Sequence, residues 1–171
     1  MRKYIIIISV ILTVVLVGLV AAGSILNYFT VNIQQPIQFN HKKHIETVGL
    51  DCSDCHNYYK TQNNSGRPTI DMCMQCHEEP QTKSPEEEKI RTYAKSKEEI
   101  PWKRVYYLAD HVRYSHQLHT QKAEIECVEC HGNMAEQTSP PKRPLVLHTM
   151  KFCIECHKKS GSSVDCLACH K

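Results

Sequence analysis

Apolar residues are concentrated at the N-terminal end of this 171-residue chain, in a nearly uninterrupted run from Tyr4 to Leu26. A helix of that length extends about 33 Å, which is enough to cross a hydrocarbon core of about 30 Å. The basic start Met1-Arg2-Lys3 is of the kind that stays on the cytoplasmic side. The pattern therefore predicts an uncleaved transmembrane signal anchor within residues 1–30.

A cleaved signal peptide is the alternative interpretation of this segment. Ala21-Ala22-Gly23-Ser24 offers small residues of the kind found at a cleavage site. Signal peptides usually have apolar regions of about 7 to 15 residues, whereas this run is longer and resumes at Ile25. We therefore expect a single span in the cytoplasmic membrane, with the rest of the chain on the periplasmic side.

One further helix is signalled clearly in the polar part of the chain. Ser84 can act as the N-cap, Pro85 fits the first helical position, and Glu87 can complete a capping box. These residues predict a charged helix that runs to about Lys97. Its runs of glutamate and lysine are expected to form a solvated face.

Each of the ten cysteines belongs to one of five Cys-x-x-Cys-His motifs. Two thiols three positions apart can form thioethers with one porphyrin and leave the following imidazole beneath the iron. The motifs therefore predict five covalently attached haem c groups. The predicted thioether positions are Cys52, Cys55, Cys73, Cys76, Cys127, Cys130, Cys153, Cys156, Cys166 and Cys169. The predicted proximal iron ligands are His56, His77, His131, His157 and His170.

Zinc binding, a disulfide scaffold and a redox dithiol explain these motifs less well. Zinc sites and disulfides give no reason for a histidine after every second cysteine. A redox dithiol needs one Cys-x-x-Cys within alternating strands and helices, and no such alternation is present. A net charge of +3 without a basic run also argues against nucleic-acid binding.

The part of the chain after residue 30 is too short for a conventional side-chain core around five cofactors. It provides roughly one haem per 28 residues, so the haems themselves must form the core. We therefore expect a mostly irregular fold in which short α-helices surround the haems. Expected divisions are the anchor at 1–30, a dihaem module at 31–83, a charged helical linker at 84–105, and a second dihaem module plus a terminal haem at 106–171.

A repeated histidine string precedes the first and third motifs. In Phe39-Asn40-His41-Lys42-Lys43-His44 the two histidines lie eleven and eight residues before Cys52, and Tyr114-Ser115-His116-Gln117-Leu118-His119 repeats both offsets before Cys127. Histidines three positions apart share one face of a helical turn and can reach two different irons. The predicted distal ligands are His41, His44, His116 and His119.

The sequence leaves the fifth distal ligand open among His148, His111 and Met150. His148 and Met150 lie five and three residues before Cys153. Because His111 lacks the duplicated spacing, we expect its replacement to matter less than that of the four repeated histidines. A methionine ligand would raise a haem potential above that of a bis-histidine site.

The string Phe39–His44 ahead of a haem motif resembles the class III multihaem cytochromes, in which this pattern supplies distal ligands. The chain also resembles the membrane-anchored pentahaem subunit of alternative complex III, a quinol-oxidising bacterial assembly. This resemblance is carried by Ser84-Pro85, Ile100–Tyr106, Leu108–Val112, Ser115–His119, Glu126–Gly132, Met150–His157 and Asp165–His170. One departure is His111, where that family prefers an aromatic residue.

The resemblance implies an electron-transfer subunit without a substrate site of its own. Its implied partners are iron-sulfur and integral membrane quinone-binding subunits, together with a downstream cytochrome or a terminal reductase or oxidase. A stand-alone quinol dehydrogenase that feeds periplasmic reductases is the alternative. A multihaem reductase is a weaker alternative, because five complete motifs and surplus distal candidates leave no open iron position.

Overall fold

The apolar N-terminal run forms one long helix, α1 (Arg2–Thr30), in the computed structural model, which describes residues 2–30 and 32–170. The segment Lys3–Leu26 has a mean hydropathy of 3.1, and none of it is buried within the protein. By length and composition this helix can cross a membrane. A signal sequence has the same position and composition, so α1 is either an anchor or a signal peptide.

The second unit of the chain begins at Ile33 and consists of short helices joined by irregular segments. No β-strand forms within the described ranges, where one isolated antiparallel bridge joins Val112 to His170. The expected mostly irregular fold with short α-helices is therefore confirmed. The helices are α2 (Cys52–Cys55), α3 (Ile70–His77), α4 (Pro85–Ser96), α5 (Cys127–His131), α6 (Met150–Ser160) and α7 (Cys166–Cys169). Two π-helical turns lie at Lys43–Thr47 and Leu118–Lys122, and two 3₁₀ turns at Asn57–Lys60 and Met134–Glu136.

Each Cys-x-x-Cys-His motif lies on or directly next to one of these helices. Side-chain caps fix several of the helix starts: the Asp51 carboxylate accepts from the Cys52 amide at 2.6 Å, and the Asp165 carboxylate accepts from the Leu167 amide at 2.7 Å. Thr149 caps α6 through the Phe152 amide at 3.2 Å. Such caps satisfy donors that a helix N-terminus leaves unpaired. Within each helical turn, the two cysteines of a motif then face the same side.

The side-chain core is small and lies between α3 and α4. Among the described residues, the buried hydrophobic side chains are Ile37, Ile70, Ile90 and Ile100. The partly buried residues packed against them are Cys73, Met74, Tyr93, Ala94 and Trp102. Larger apolar side chains elsewhere in this unit, such as Leu167 at 76% exposure, are not covered by protein. Packing among side chains therefore stabilises only the region around α3 and α4.

Helix α4 begins as its sequence predicts, with one difference at Glu87. Ser84 caps the helix by accepting from the Glu86 amide at 3.3 Å, and Lys97 ends it in a left-handed conformation. Glu87 does not complete a capping box. It is 6% exposed and accepts from the amides of Gln81 and Thr82 at 2.9 and 3.1 Å. The acidic run is therefore not wholly a solvated face, because its middle glutamate points inward.

Candidate haem-binding site

The duplicated histidine string has the same three-dimensional geometry in both copies. The Phe39 ring stacks on His44 with 4.3 Å between ring centroids and meets the edge of His41 at 4.8 Å. In the second copy the Tyr114 ring stacks on His119 at 4.6 Å and meets the edge of His116 at 4.9 Å. One aromatic ring therefore fixes the orientation of both imidazoles in each string.

The last histidine of each string is also held by a backbone bond within the string. The Nδ1 of His44 lies 2.8 Å from the carbonyl oxygen of Asn40, and the Nδ1 of His119 lies 2.8 Å from that of Ser115. A carbonyl can only accept, so Nδ1 carries the proton in each ring. Nε2 is then unprotonated, and an unprotonated imidazole nitrogen is the form that binds a metal.

Three of the predicted distal histidines face three of the predicted proximal histidines, and the three distances between ring centroids are nearly equal. With metal–nitrogen bonds of about 2 Å, two imidazoles on opposite sides of one iron have centroids roughly 6.3 Å apart. The observed centroid separations are 6.1 Å for His44 and His77, 6.3 Å for His116 and His131, and 6.2 Å for His119 and His157. These pairs fit bis-histidine ligation of an iron.

His41 lies close to His56, the histidine of the first motif. Burial and the neighbouring imidazoles of His56 and His44 lower the pKa of His41 to about 4. Its Nδ1 is buried without a hydrogen-bond partner among the described residues. A neutral, desolvated imidazole is suited to iron ligation. His131 has a similar environment, where burial and then His148 and His116 lower its pKa to about 4.

Backbone carbonyls orient several other predicted ligands. The Nδ1 of His116 lies 2.9 Å from the Asn63 carbonyl oxygen, and that of His157 lies 2.6 Å from the Ser163 carbonyl oxygen. The Nδ1 of His56 lies 3.3 Å from the carbonyl of Gly66. Gly66 has a φ of 77°, and a Cβ there would collide with the Tyr58 ring. Glycine is therefore required at the position that receives the His56 bond.

His77 differs from these histidines because a carboxylate lies beside it. The Oε2 atom of Glu87 is 3.8 Å from the Nδ1 of His77. Burial alone would raise the pKa of Glu87, but hydrogen bonds from Thr82 and Gln81 and the nearby His77 lower it to about 2. Glu87 is therefore ionised next to a predicted iron ligand. Sequence analysis assigned it only to a helix cap.

Some thiols of different motifs lie close enough together to raise one another's pKa values. Burial and then Cys55 raise the pKa of Cys73 to about 11, and burial and then Cys127 raise that of Cys52 to about 11. Burial and then Cys156 and Cys153 raise the pKa of Cys130. Burial and then Cys169 raise that of Cys153. These neighbouring thiols link the second motif to the first, the first to the third, the third to the fourth, and the fourth to the fifth.

None of the ten cysteines forms a disulfide. Within residues 2–30 and 32–170, no three His, Cys, Asp or Glu side chains converge as a metal-ion site. The donor arrangement is instead one of paired imidazoles beside pairs of thiols, which is the set that haem c requires.

The three candidates for the fifth distal position have different surroundings. The His111 ring stacks near that of His170 with centroids 5.3 Å apart and an interplanar angle of 25°. The Nε2 of His148 is 2.7 Å from the Cys130 carbonyl oxygen. Met150 is 64% exposed. Of these three, only His111 contacts a proximal histidine that lacks a paired imidazole from the repeats.

Tyr106 is a further site residue that sequence analysis did not single out. Its hydroxyl donates to the His131 carbonyl at 2.9 Å and accepts from the Leu145 amide at 3.1 Å. Its ring meets the edge of His131 at 4.6 Å and stacks on His148 at 5.1 Å. No local signal in the sequence points to this role, because the partners lie 25 to 42 residues away.

Comparison with known proteins agrees with this donor arrangement. Residues 24–146 match the model of the class III cytochrome C family. The chain is 31% identical over 162 residues to the multihaem cytochrome c subunit of a menaquinone reductase from Nitratidesulfovibrio vulgaris, covering 81% of this chain and 77% of that relative. It is 28% identical over 116 residues to the cytochrome subunit of an acrylate reductase from Shewanella woodyi, covering 68% and 76% of the two chains.

The family match includes the histidine repeats and the first three motifs, and the fourth and fifth motifs follow it. Both relatives are cytochrome subunits of reductases. The matched region, the paired imidazoles and the adjoining thiols together identify the chain as a member of the class III cytochrome c family, a multihaem electron-transfer protein that carries covalently bound haem c.

Proposed function

We propose that this protein is a membrane-anchored pentahaem relay that carries electrons outside the cytoplasmic membrane as a subunit of a quinol-oxidising complex. The five Cys-x-x-Cys-His motifs would hold five haems through their ten cysteines, and the five motif histidines would be the proximal ligands. The distal ligands from the repeats would be His41 for His56, His44 for His77, His116 for His131, and His119 for His157.

The observation that carries this proposal is the near-constant spacing of the three measured histidine pairs, 6.1 to 6.3 Å between ring centroids. Each pair joins a histidine of a repeat to the histidine of a motif. Ordinary surface histidines have no physical reason to adopt one common separation. Coordination of a shared iron gives that reason.

The arrangement of the motifs supports a continuous relay. When bound, haem c supplies reversible one-electron chemistry. The residues of the chain place successive motifs side by side, so electrons would pass along the order second, first, third, fourth and fifth. The ends of this line are the motif on α3, beside the buried carboxylate of Glu87, and the motif on α7. Partner proteins would donate and accept electrons at these two ends.

The partner assignment rests on two resemblances. One relative is a subunit of a menaquinone reductase, which supports a link to membrane quinones. The pentahaem subunit of alternative complex III resembles this chain in motif order and in its N-terminal apolar helix. Both favour iron-sulfur and integral membrane subunits as partners, with α1 holding the relay at the periplasmic surface.

A second candidate is a cytochrome subunit that delivers electrons to a dedicated periplasmic reductase. The acrylate reductase relative favours it. In that case a soluble reductase would replace the quinol-oxidising subunits. Substrate reduction at an iron of this chain is disfavoured, because imidazoles from the repeats face at least three of the five motif histidines.

Purification of the tagged protein from membranes tests the proposal. We expect a denatured mass that corresponds to five haems and a stoichiometric complex with iron-sulfur and polytopic membrane subunits that oxidises added quinol. Recovery with only a soluble reductase would favour the second candidate. A mass short by one haem would contradict the pentahaem assignment.

A further inference from the structure

We propose that His111 is the distal ligand of the fifth haem, paired with His170, and that His148 binds no iron. This inference deepens the proposed pentahaem relay and rests on it. It selects one of three candidates that the sequence leaves open.

The first support is the position of the His111 ring. It lies against His170 with 5.3 Å between centroids and 25° between planes. A shared iron requires a separation of about 6.3 Å, so the rings differ from that geometry by about 1 Å. His111 is exposed, and a small rotation of its side chain supplies such a change.

The second support is the backbone, which holds the two segments together. Val112 forms the antiparallel bridge with His170, and the Arg113 amide donates to the Cys169 carbonyl at 2.7 Å. The Val112 amide also closes a turn onto the Ala109 carbonyl at 2.9 Å. The residues that follow His111 are therefore held against the fifth motif, and the turn from Ala109 to Val112 fixes the backbone at His111 itself. The bridge from Val112 to His170 joins positions 58 residues apart, so it does not follow from the local geometry of the chain.

The third support is that His148 is engaged elsewhere. Its Nε2 lies 2.7 Å from the Cys130 carbonyl and therefore donates to it. Its ring lies between Tyr106 and Phe152, with centroids 5.1 and 5.7 Å away. The neighbouring proximal ligand, His131, is already matched with His116 at 6.3 Å and an interplanar angle of 2°. The Nε2 of His148 is therefore bonded to a backbone carbonyl and is not available to an iron.

In the proposed assignment the four repeat histidines pair with His56, His77, His131 and His157, three of them at measured ring separations. His170 is the remaining proximal histidine, and His111 is the imidazole against it. The chain would then supply a bis-histidine site at every motif. This gives His111 more importance than its unduplicated spacing predicts, and it explains a histidine where the resembling family prefers an aromatic residue.

The test compares His111→Ala with the control His148→Ala in the full, haem-loaded chain. Mass spectrometry of the intact protein counts the haems, and the Cys166–Cys169 peptide shows whether the fifth motif carries one. Electron paramagnetic resonance then counts low-spin and high-spin haem. We expect five haems in both variants, with one in five converted to high spin in His111→Ala and all five low spin in His148→Ala.

A second readout separates loss of a ligand from loss of structure. Reduced His111→Ala should bind about one carbon monoxide per five haems, and added imidazole should restore its low-spin spectrum. In His111→Met one haem should stay low spin and titrate at a higher potential. An unchanged low-spin count in His111→Ala, high-spin haem in His148→Ala, or a fifth motif without haem would overturn the inference. The intact mass of the unsubstituted chain tests the proposed haem number separately.

Discussion

At the scale of single residues, what distinguishes the histidines of this protein is the atom that each Nδ1 faces. His44, His119, His116, His157 and His56 face backbone carbonyls, whereas His77 faces the carboxylate of Glu87. A negative charge beside an imidazole favours the oxidised, more positive iron. The second motif is therefore set apart electrostatically from its neighbours.

We predict that Glu87→Gln raises the reduction potential of the haem on His77. An interaction of about 1 kcal/mol corresponds to roughly 40 mV for a one-electron couple. Potentiometric titration followed by optical absorption measures the change. Glu88→Gln is the matched control, because that side chain is 60% exposed on the same helix and pairs with Arg91 at 2.7 Å. Equal shifts in both variants would refute a specific role for Glu87.

We also predict that His44→Ala and His119→Ala each convert one low-spin haem into a high-spin or water-ligated haem. The centroid of each ring lies 6.1 to 6.2 Å from the centroid of a motif histidine. No other histidine of the repeats is placed to bind the same iron in its stead. Electron paramagnetic resonance measures the number of low-spin haems. If that number is unchanged in either variant, the assignment of distal ligands from the repeat is wrong.

At the scale of elements, α4 shows how far local sequence determines structure. The Ser84-Pro85 start and the charged composition predict its bounds to within about one residue of those observed. The direction of Glu87 was not predictable, because its partners belong to the loop before the helix. The same limit applies to Val112 and His170, whose bridge depends on packing between distant segments. Local spacing, in contrast, was sufficient to identify the two histidine repeats and the aromatic residue that begins each one.

Ile90→Ala should loosen α4 from α3. Ile90 is 7% exposed in the small isoleucine core, and truncations of this kind cost about 2 to 5 kcal/mol. Hydrogen exchange followed by mass spectrometry should show faster exchange in α3 and α4 than in the parent protein. Lys95→Ala, an exposed position on α4, should leave the exchange unchanged. Equal protection in the two variants would mean that the isoleucine core does not hold these helices together.

At the scale of the whole molecule, the unit after Ile33 has too little buried side-chain surface to fold by itself. Four isoleucines are its buried hydrophobic residues among those described, and large apolar side chains remain exposed. Cofactor attachment must therefore supply much of the folding free energy. The cysteine motifs made this predictable from the sequence, whereas the spatial order of the motifs was not, since it depends on contacts between the two repeats.

Expression without the haem-attachment machinery should give an unfolded or rapidly degraded chain. Circular dichroism and limited proteolysis distinguish this outcome from a folded one. A protease-resistant apo form with the helical spectrum of the mature protein would contradict a haem-organised core.

The mature protein should also keep α1 and resist extraction from membranes without detergent. The run Lys3–Leu26 is long enough to span, and none of it is buried. The mass of the N-terminal peptide decides between anchor and signal sequence. A soluble mature chain that begins near Gly23 would show that α1 is removed.

The order of the motifs determines which parts of the relay are dispensable. Because the fourth and fifth motifs follow the third at one end, loss of the C-terminal segment after about residue 149 would shorten the line without interrupting it. The first, third and fourth motifs lie inside the line, so loss of any one of them alone would divide it. Cys52 and Cys127 are neighbours at the junction between the first and third motifs. A chain built in this way can lengthen or shorten its line of motifs by gaining or losing motifs after α5. The contact between the first and third motifs, which joins the two repeats, must be retained.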